Sequence, residues 1–252
     1  YVGLLCVLMV SGAFIFGNPS FAAPLDMHLH IGNSAATFIK NNVVADSLPS
    51  IIPLPGSYKL SDKFSGKYFV LRKSTPILLD QKAAAVITTD LRRQWQALLK
   101  ENIAGLLGVD MDLPFKGIAG INAAKPDSRI VMRFEDSHGN QSKAVGAGKP
   151  GSYQLKITPE AAVITAGDAT GFLYGIISLI QLGAHAQEGH QGQGAEGLNI
   201  PCWQIRDQPE YNWRGLMLDE SRPFFGKAEV EKLLTWMAYY KLNRFHWHLT
   251  DE

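Results

Sequence analysis

The chain is poor in cysteine and carries no surplus of either charge. Its two cysteines are Cys6 and Cys202. Cys6 falls in an apolar leading segment, and its neighbours Leu4-Leu5 do not make a lipoprotein box. That leaves Cys202 alone in the remainder, which excludes an internal disulfide framework and makes the fold rest on its apolar core. The 24 Lys and Arg against 23 Asp and Glu give a net charge of +1. Such a balance removes the electrostatic case for a nucleic-acid partner or an anionic membrane surface. No internal repeat is evident.

What is present is a globular composition, 46% hydrophobic over 252 residues, suited to one or two domains with a real core. Tyr1 to Phe16 is apolar and uncharged, and Ser20-Phe21-Ala22 follows with small residues at the two positions a signal peptidase reads. Residues 1–22 therefore read as a secretory signal whose initiator Met and basic leader are missing, with export and cleavage expected. A retained anchor is the alternative, against which stand the short apolar stretch and Ser11, Gly12 and Gly17 within it. After cleavage no stable membrane span is expected.

Residues 23–50 form a polar lead-in. An extended segment is expected at Ile51-Ile52-Pro53-Leu54-Pro55, because proline restricts itself and the residue before it. Strands are predicted at Lys67–Arg72, Thr75–Leu79, Arg129–Phe134 and Tyr153–Thr158, with Ala161–Ala166 as hairpin partner of the last. A turn is read at Glu135–Asn140. Leu91, Trp95, Leu98, Leu99 and Ile103 recur at helical spacing from Thr89 to Leu107, behind a cap at Thr88, Thr89 or Asp90. Gly167-Asp168-Ala169-Thr170 opens an apolar helix, Phe172 to Leu182. Residues 51–200 thus read as an α+β domain, a mostly antiparallel sheet with helices on one face. Gly183–Asn199 reads as a flexible loop, with His185 and His190 in it solvated.

Residues 209–252 read differently. Arg214–Leu218 and Asn243–Leu249 are buried-strand runs, and Lys227–Lys241 carries Val230, Leu233, Leu234, Met237 and Tyr240 on one stripe. Strand, helix and parallel strand imply a right-handed β-α-β unit. Two strands cannot close a barrel, so the unit is expected to be the start of a larger one. Polar side chains collect at the carboxyl ends of both strands, where α/β barrels place their active sites.

Trp213-Arg214-Gly215-x-x-Leu218-Asp219-x-x-Arg222-x-Phe224-Phe225, then Met237-Ala238-x-Tyr240-Lys241-Leu242-Asn243, then His246-Trp247-His248-Leu249-Thr250-Asp251, resembles the barrel opening of glycoside hydrolase family 20, the β-N-acetylhexosaminidases. Ile52-Pro53-Leu54-Pro55 and Gly171-Phe172-Leu173-Tyr174-Gly175 with Gln181-Leu182 are similar to that family's N-terminal domain. The resemblance implies an N-terminal α+β domain followed by the first β-α-β of a truncated (β/α)8 barrel. It also implies exo-hydrolysis of terminal β-linked GlcNAc or GalNAc from glycans or chito-oligosaccharides, without metal or organic cofactor.

The family's reaction retains configuration through the substrate's own acetamido oxygen, an exception among retaining glycosidases. An Asp orients that group and the adjacent Glu serves as acid, then base. By the same resemblance Arg214 holds the sugar's 3- and 4-hydroxyls, for which a planar guanidinium with several fixed donors is suited. His248 and Asp251 line the site. Asp219 and Arg222, opposite charges three positions apart, either reach substrate or pair and shape the loop, and support is the role expected of them. His246 is a further supporting group, and Asp219 is also a candidate brace for Arg214.

Asp251-Glu252 imitates the family's catalytic pair, but its setting is His-Leu-Thr-Asp-Glu and not His-x-Gly-Gly-Asp-Glu. It matches an earlier family segment, so no catalytic residue is expected among those given. Two alternatives stay open: a non-catalytic glycan binder that stacks sugars on Trp213 and Trp247, and a metal-dependent amidohydrolase. For the latter, His246 and His248 share a strand face, and Asp26-Met27-His28-Leu29-His30 imitates a first-strand metal motif.

Overall fold

A computed structural model describes residues 48–107, 110–117, 128–135, 149–188, 197–221 and 223–250. The expected signal and lead-in, the Asp26–His30 motif, the turn over 136–140, His190, Arg222 and the Asp251-Glu252 pair lie outside them. Pro49–Glu252 forms one unit.

The sheet domain begins with β1 (Ser57–Leu60), β2 (Tyr68–Leu71) and β3 (Ile77–Leu79). Next comes a short helix that the sequence reading passed over, α1 (Gln81–Val86). Its start is fixed by Asp80, whose Oδ1 accepts from the Ala83 amide at 2.7 Å and whose Oδ2 accepts from Phe134 N–H at 2.9 Å. The helix expected from Thr89 is present as α2 (Thr89–Ala97), a π-helical stretch at Leu98–Ile103 and α3 (Ala104–Leu107). Thr88 caps it by accepting from Leu91 N–H. Trp95, Leu99 and Ile103 are its buried face.

Then follow β4 (Phe115–Gly117), β5 (Arg129–Phe134), β6 (Tyr153–Ile157), β7 (Ala161–Ala166), α4 (Ala169–Glu188), β8 (Leu198–Pro201) and β9 (Trp203–Asp207). Seven strands share one sheet in the order β1-β9-β6-β7-β5-β3-β4. The register aligns Leu79, Met132, Ile164, Leu155 and Ile205 in a continuous buried row. Gln154, Lys156, Gln204 and Arg206 alternate with the buried positions toward the other face. Helices on one face is therefore the arrangement found. The expectation of a mostly antiparallel sheet needs correction, because β3–β4, β3–β5 and β5–β7 pair parallel. The helices between β3 and β4 carry the chain back over the sheet, so β4 enters in the direction of β3.

Two further corrections concern residues 183–207. Helix α4 continues to Glu188, into the first residues of the loop expected over 183–199. Gly183 lies within it for a packing reason: a Cβ there would stand 2.9 Å from Leu198 Cδ1, so glycine lets β8 lie against the helix. Strands β8 and β9 were not foreseen. β8 pairs with β2, setting Phe69 opposite Ile200, both fully buried. Cys202, between them, is a buried free thiol. No strand forms over residues 51–55, where Ile51 is buried and Ile52 exchanges backbone bonds with the Gln181 amide instead.

The last elements are β10 (Gly215–Asp219), α5 (Lys227–Tyr239) and β11 (Arg244–His248). β10 and β11 pair parallel from Gly215↔Arg244 to Asp219↔His248. Val230, Met237 and Phe245 are buried between strands and helix, with Leu218, Leu233, Leu234, Leu242 and Trp247 around them. The opposite face carries Met217, which is 45% exposed.

Candidate functional site

The two strands place their polar residues at a common end. Asp219 closes β10 opposite His248, which closes β11. The side chains come together, with His248 Nδ1 3.6 Å from Asp219 Oδ1. The same carboxylate oxygen accepts from the Ser221 amide at 2.9 Å and from its hydroxyl at 2.5 Å, so the first residues after β10 fold over the strand end. His248 Nε2 lies 3.0 Å from the Thr250 carbonyl oxygen. The ring is thus set between the Thr250 carbonyl on its Nε2 side and the Asp219 carboxylate on its Nδ1 side. His246, opposite Met217, falls two residues before His248 and so on the same strand face. Phe245 and Trp247 take the other face, toward α5.

Glu220 is a site component that the sequence reading left unassigned. It is 3% exposed. Its Oε1 accepts from the amides of Phe225 and Gly226 at 2.9 and 3.0 Å, and its Oε2 accepts from Trp247 Nε1 at 2.5 Å. A carboxylate so placed satisfies donors at the start of α5 and suits the positive end of the helix dipole. It ties the segment after β10 to β11. Its cue in the sequence was a carboxylate just before a helix that lacks a Ser, Thr, Asp or Asn cap. Trp247, held by this bond and facing α5, is not disposed as the stacking surface that a glycan-binding module would require.

Arg214 sits at the opposite end. It precedes β10, and its guanidinium donates from Nε to the Lys241 carbonyl at 2.9 Å, from Nη1 to the Tyr211 carbonyl at 2.6 Å and from Nη2 to the Tyr174 hydroxyl at 2.7 Å. It also lies 5.5 Å from the centre of the Tyr174 ring. The expected sugar contact is thus replaced by a brace between β10, the end of α5 and α4. The physical reason is position: Arg214 precedes β10 and Asp219 closes it, so at about 3.3 Å per residue the two stand roughly 16 Å apart along the strand. For the same reason Asp219 does not support Arg214.

Around this brace lies a polar seam. Tyr174, Ser178 and Gln181 recur at the i, i+4, i+7 spacing that puts them on one face of α4. Tyr174 meets Arg214, and Gln181 Nε2 donates to the Tyr239 carbonyl at 2.8 Å. Ser178 Oγ lies 2.6 Å from the Tyr153 hydroxyl, which donates to Asp207 Oδ2 at 3.1 Å. Lys241 enters the same cluster from the end of α5. Burial, with the Asp207 carboxylate adding to it, pushes the Tyr153 phenol well above its usual range. Burial likewise brings the Lys241 amine down to about 8, against the opposing pull of Asp207. A polar stripe on a helix otherwise this apolar was the available sequence signal for the seam.

Among the described residues, no group of three or more His, Cys, Asp or Glu is arranged to hold a metal, and no helix is long and apolar enough to cross a membrane.

Comparison with known proteins addresses what such a chain is. Residues 48–208 match the family model described as glycosyl hydrolase family 20, domain 2, and residues 211–252 that of the family's catalytic domain. A β-hexosaminidase of Akkermansia muciniphila is 44% identical over 152 residues, which cover 59% of this chain and 29% of that protein. The N,N'-diacetylchitobiase of Vibrio harveyi is 36% identical over 104 residues, 41% of this chain and 11% of that one. This chain therefore spans under a third of the length of either relative.

Among solved structures, the Vibrio harveyi GH20 exo-β-N-acetylglucosaminidase in complex with N-acetylglucosamine superposes with a TM-score of 0.57 at 26% identity, covering 81% of this chain and 26% of that one. The Streptomyces plicatus N-acetyl-β-hexosaminidase in complex with thio-NAglucal gives 0.54, also at 26% identity, over 81% of this chain and 35% of that one. With the family's domain-2 model matched over residues 48–208 and its catalytic-domain model from residue 211 onward, the chain belongs to glycosyl hydrolase family 20.

Proposed function

We propose that the chain carries the sheet domain and the opening strands of a (β/α)8 barrel from an exported, exo-acting β-N-acetylhexosaminidase. The enzyme removes terminal β-linked GlcNAc or GalNAc with retention of configuration, using the substrate's acetamido oxygen as nucleophile. The observation that carries this reading is the juxtaposition of Asp219 and His248 at the carboxyl ends of a parallel strand pair, where barrel enzymes of many chemistries assemble their sites. The uncovered strand face at Met217 supports a larger barrel, since parallel sheets are covered on both faces. The apolar segment of residues 1–22 supports export.

In this reading His248 and Asp219 bind sugar hydroxyls. Arg222 and Asp251, which follow β10 and β11 by three positions each in the sequence, join them. Arg214 braces the other end, and the Asp-Glu pair that orients the acetamido group and transfers the proton belongs to a later segment. No step requires a metal or an organic cofactor.

The test is release of 4-nitrophenol from its N-acetyl-β-D-glucosaminide by the full-length protein. His248→Ala and Asp219→Asn are expected to lower kcat/KM by about 2- to 10-fold for each sugar hydrogen bond lost. A folded full-length protein that releases no 4-nitrophenol, or variants as active as the parent, would overturn the assignment.

A further inference from the structure

We propose that Lys241 is a positioning residue, through which the sheet domain sets where the Asp219–His248 end of the β10–β11 pair stands. That the end so placed is a sugar site rests on the function proposed above; the placement itself does not.

The backbone of Lys241 is the first observation. Its φ is +60°, the single left-handed non-glycine position among the described residues. It follows α5, where glycine would adopt this conformation without a steric penalty. The chain instead keeps a long cationic side chain there and buries it, leaving 4% of the residue exposed. Strained backbone and a buried amine are both unfavourable, so the side chain supplies something glycine cannot.

The tip of the side chain shows what that is. Nζ donates to the Tyr153 hydroxyl at 3.1 Å and reaches Asp207 Oδ2 at 3.5 Å. Asp207 Oδ1 accepts from Gly56 N–H, and Ser178 of α4 meets the Tyr153 hydroxyl. One amine thereby anchors to β6 and β9 and, through Tyr153, to α4. The charged and titratable groups facing it are Asp207 from β9, Tyr153 from β6 and, more remotely, the Arg214 guanidinium at the start of β10.

The main chain around Lys241 completes the connection. Its carbonyl accepts from Arg214 Nε, while the Arg214 carbonyl accepts from the amides of Asn243 and Arg244. Arg214 N–H in turn donates to Asn243 Oδ1 at 2.9 Å. These bonds lock Gly215 opposite Arg244, and an unbroken parallel ladder carries that register to Asp219 and His248. A slip of one residue would turn His248 to the α5 side. Lys241 therefore joins the anchor in the sheet domain to the register lock of the strand pair.

The test uses the full-length protein and three variants. Lys241→Met keeps the length of the side chain and removes donor and charge, Lys241→Arg keeps both, and Tyr153→Phe removes one of the two anchors. The readings are the His248 ring-proton shift by NMR, and kcat and KM for 4-nitrophenyl N-acetyl-β-D-glucosaminide. Lys241→Met is expected to displace the His248 resonance and to lower kcat/KM by about tenfold or more, since misplacement by about 1 Å costs on the order of 100-fold. Tyr153→Phe shifts both readings less, and Lys241→Arg restores them in part.

A folded Lys241→Met protein with the parent's His248 shift and kcat/KM overturns the proposal. If Lys241→Met does not fold, Tyr153→Phe decides by the same readings, and an unmoved His248 resonance overturns it. A parent protein with no glycosidase activity would sink the proposed function and leave the His248 resonance to decide the positioning role alone.

Discussion

The sheet domain and the β10–α5–β11 unit hold their shapes by different means. In the sheet domain, rows of fully buried side chains cross most of the sheet, and large residues such as Phe69, Tyr153 and Phe172 are entirely enclosed. In the strand-helix-strand unit, Val230, Met237 and Phe245 are buried and the surrounding apolar residues only partly so. What the smaller unit lacks in apolar enclosure it replaces with directed polar contacts: Glu220 at one end of its strands, Arg214 and Lys241 at the other. The lesson concerns kind as well as amount. Apolar burial is non-directional, whereas hydrogen bonds between fixed partners also set a direction.

Four measurements can break or sharpen this contrast, the largest expected effect first. Phe172→Ala, in the enclosed core, is expected to lower the unfolding free energy by about 3–5 kcal/mol in urea titration. Phe245→Ala is expected to cost less, because its cluster is open on one side; equal costs would erase the distinction.

The second measurement is the pH dependence contributed by Lys241. Its folded-state value of about 8 is below its ordinary 10.5, so between these limits the unfolded chain holds more protons and stability rises with pH. The penalty of burying the ammonium is fully present below about 8 and is relieved toward 10.5. Subtracting the Lys241→Met profile from the parent's should leave a rise on the order of 2–3 kcal/mol across that window. A flat difference would mean that the amine is not enclosed as described.

Third, Glu220→Ala leaves Trp247 Nε1 and the amides of Phe225 and Gly226 without their acceptor. The expected loss is about 2–3 kcal/mol, with a change in tryptophan fluorescence. Glu220→Gln, which keeps one acceptor oxygen, should cost less. Last, Lys227→Ala removes an exposed pair with Glu231 on α5 and should change stability by no more than about 0.5 kcal/mol.

The sequence made some elements plain and concealed others for identifiable reasons. The β6–β7 hairpin and the β10–α5–β11 unit follow from local periodicity, and the structure has both within two residues of the expected ends. Strand β9 has the same alternation, with Trp203 and Ile205 inward, but its neighbours in the sheet, β1 and β6, are distant in sequence. Parallel pairing of β3 with β4 was illegible because direction is set by where the intervening helices return the chain, which no local pattern records. Arg214 is the instructive case at the site. Its residue type and strand position fit both a sugar ligand and a structural brace. Tyr174, 40 positions away, and Lys241, 27 positions away, decide between them. The placing of Asp219 and His248 at strand ends was legible because a strand end is a local property, whereas a role for His248 came only from the family resemblance.

The order of strands in the large sheet also constrains how the protein can be made. β9 lies between β1 and β6, and the backbone of Gly56 meets Asp207 across 151 positions of chain. During synthesis β1 therefore emerges long before its neighbour exists, and β6 keeps an unpaired edge until residue 207 has left the ribosome. A stall or a cleavage ahead of Trp203 would leave β1 and β6 each with an unpaired edge, the kind of edge that invites pairing with another chain.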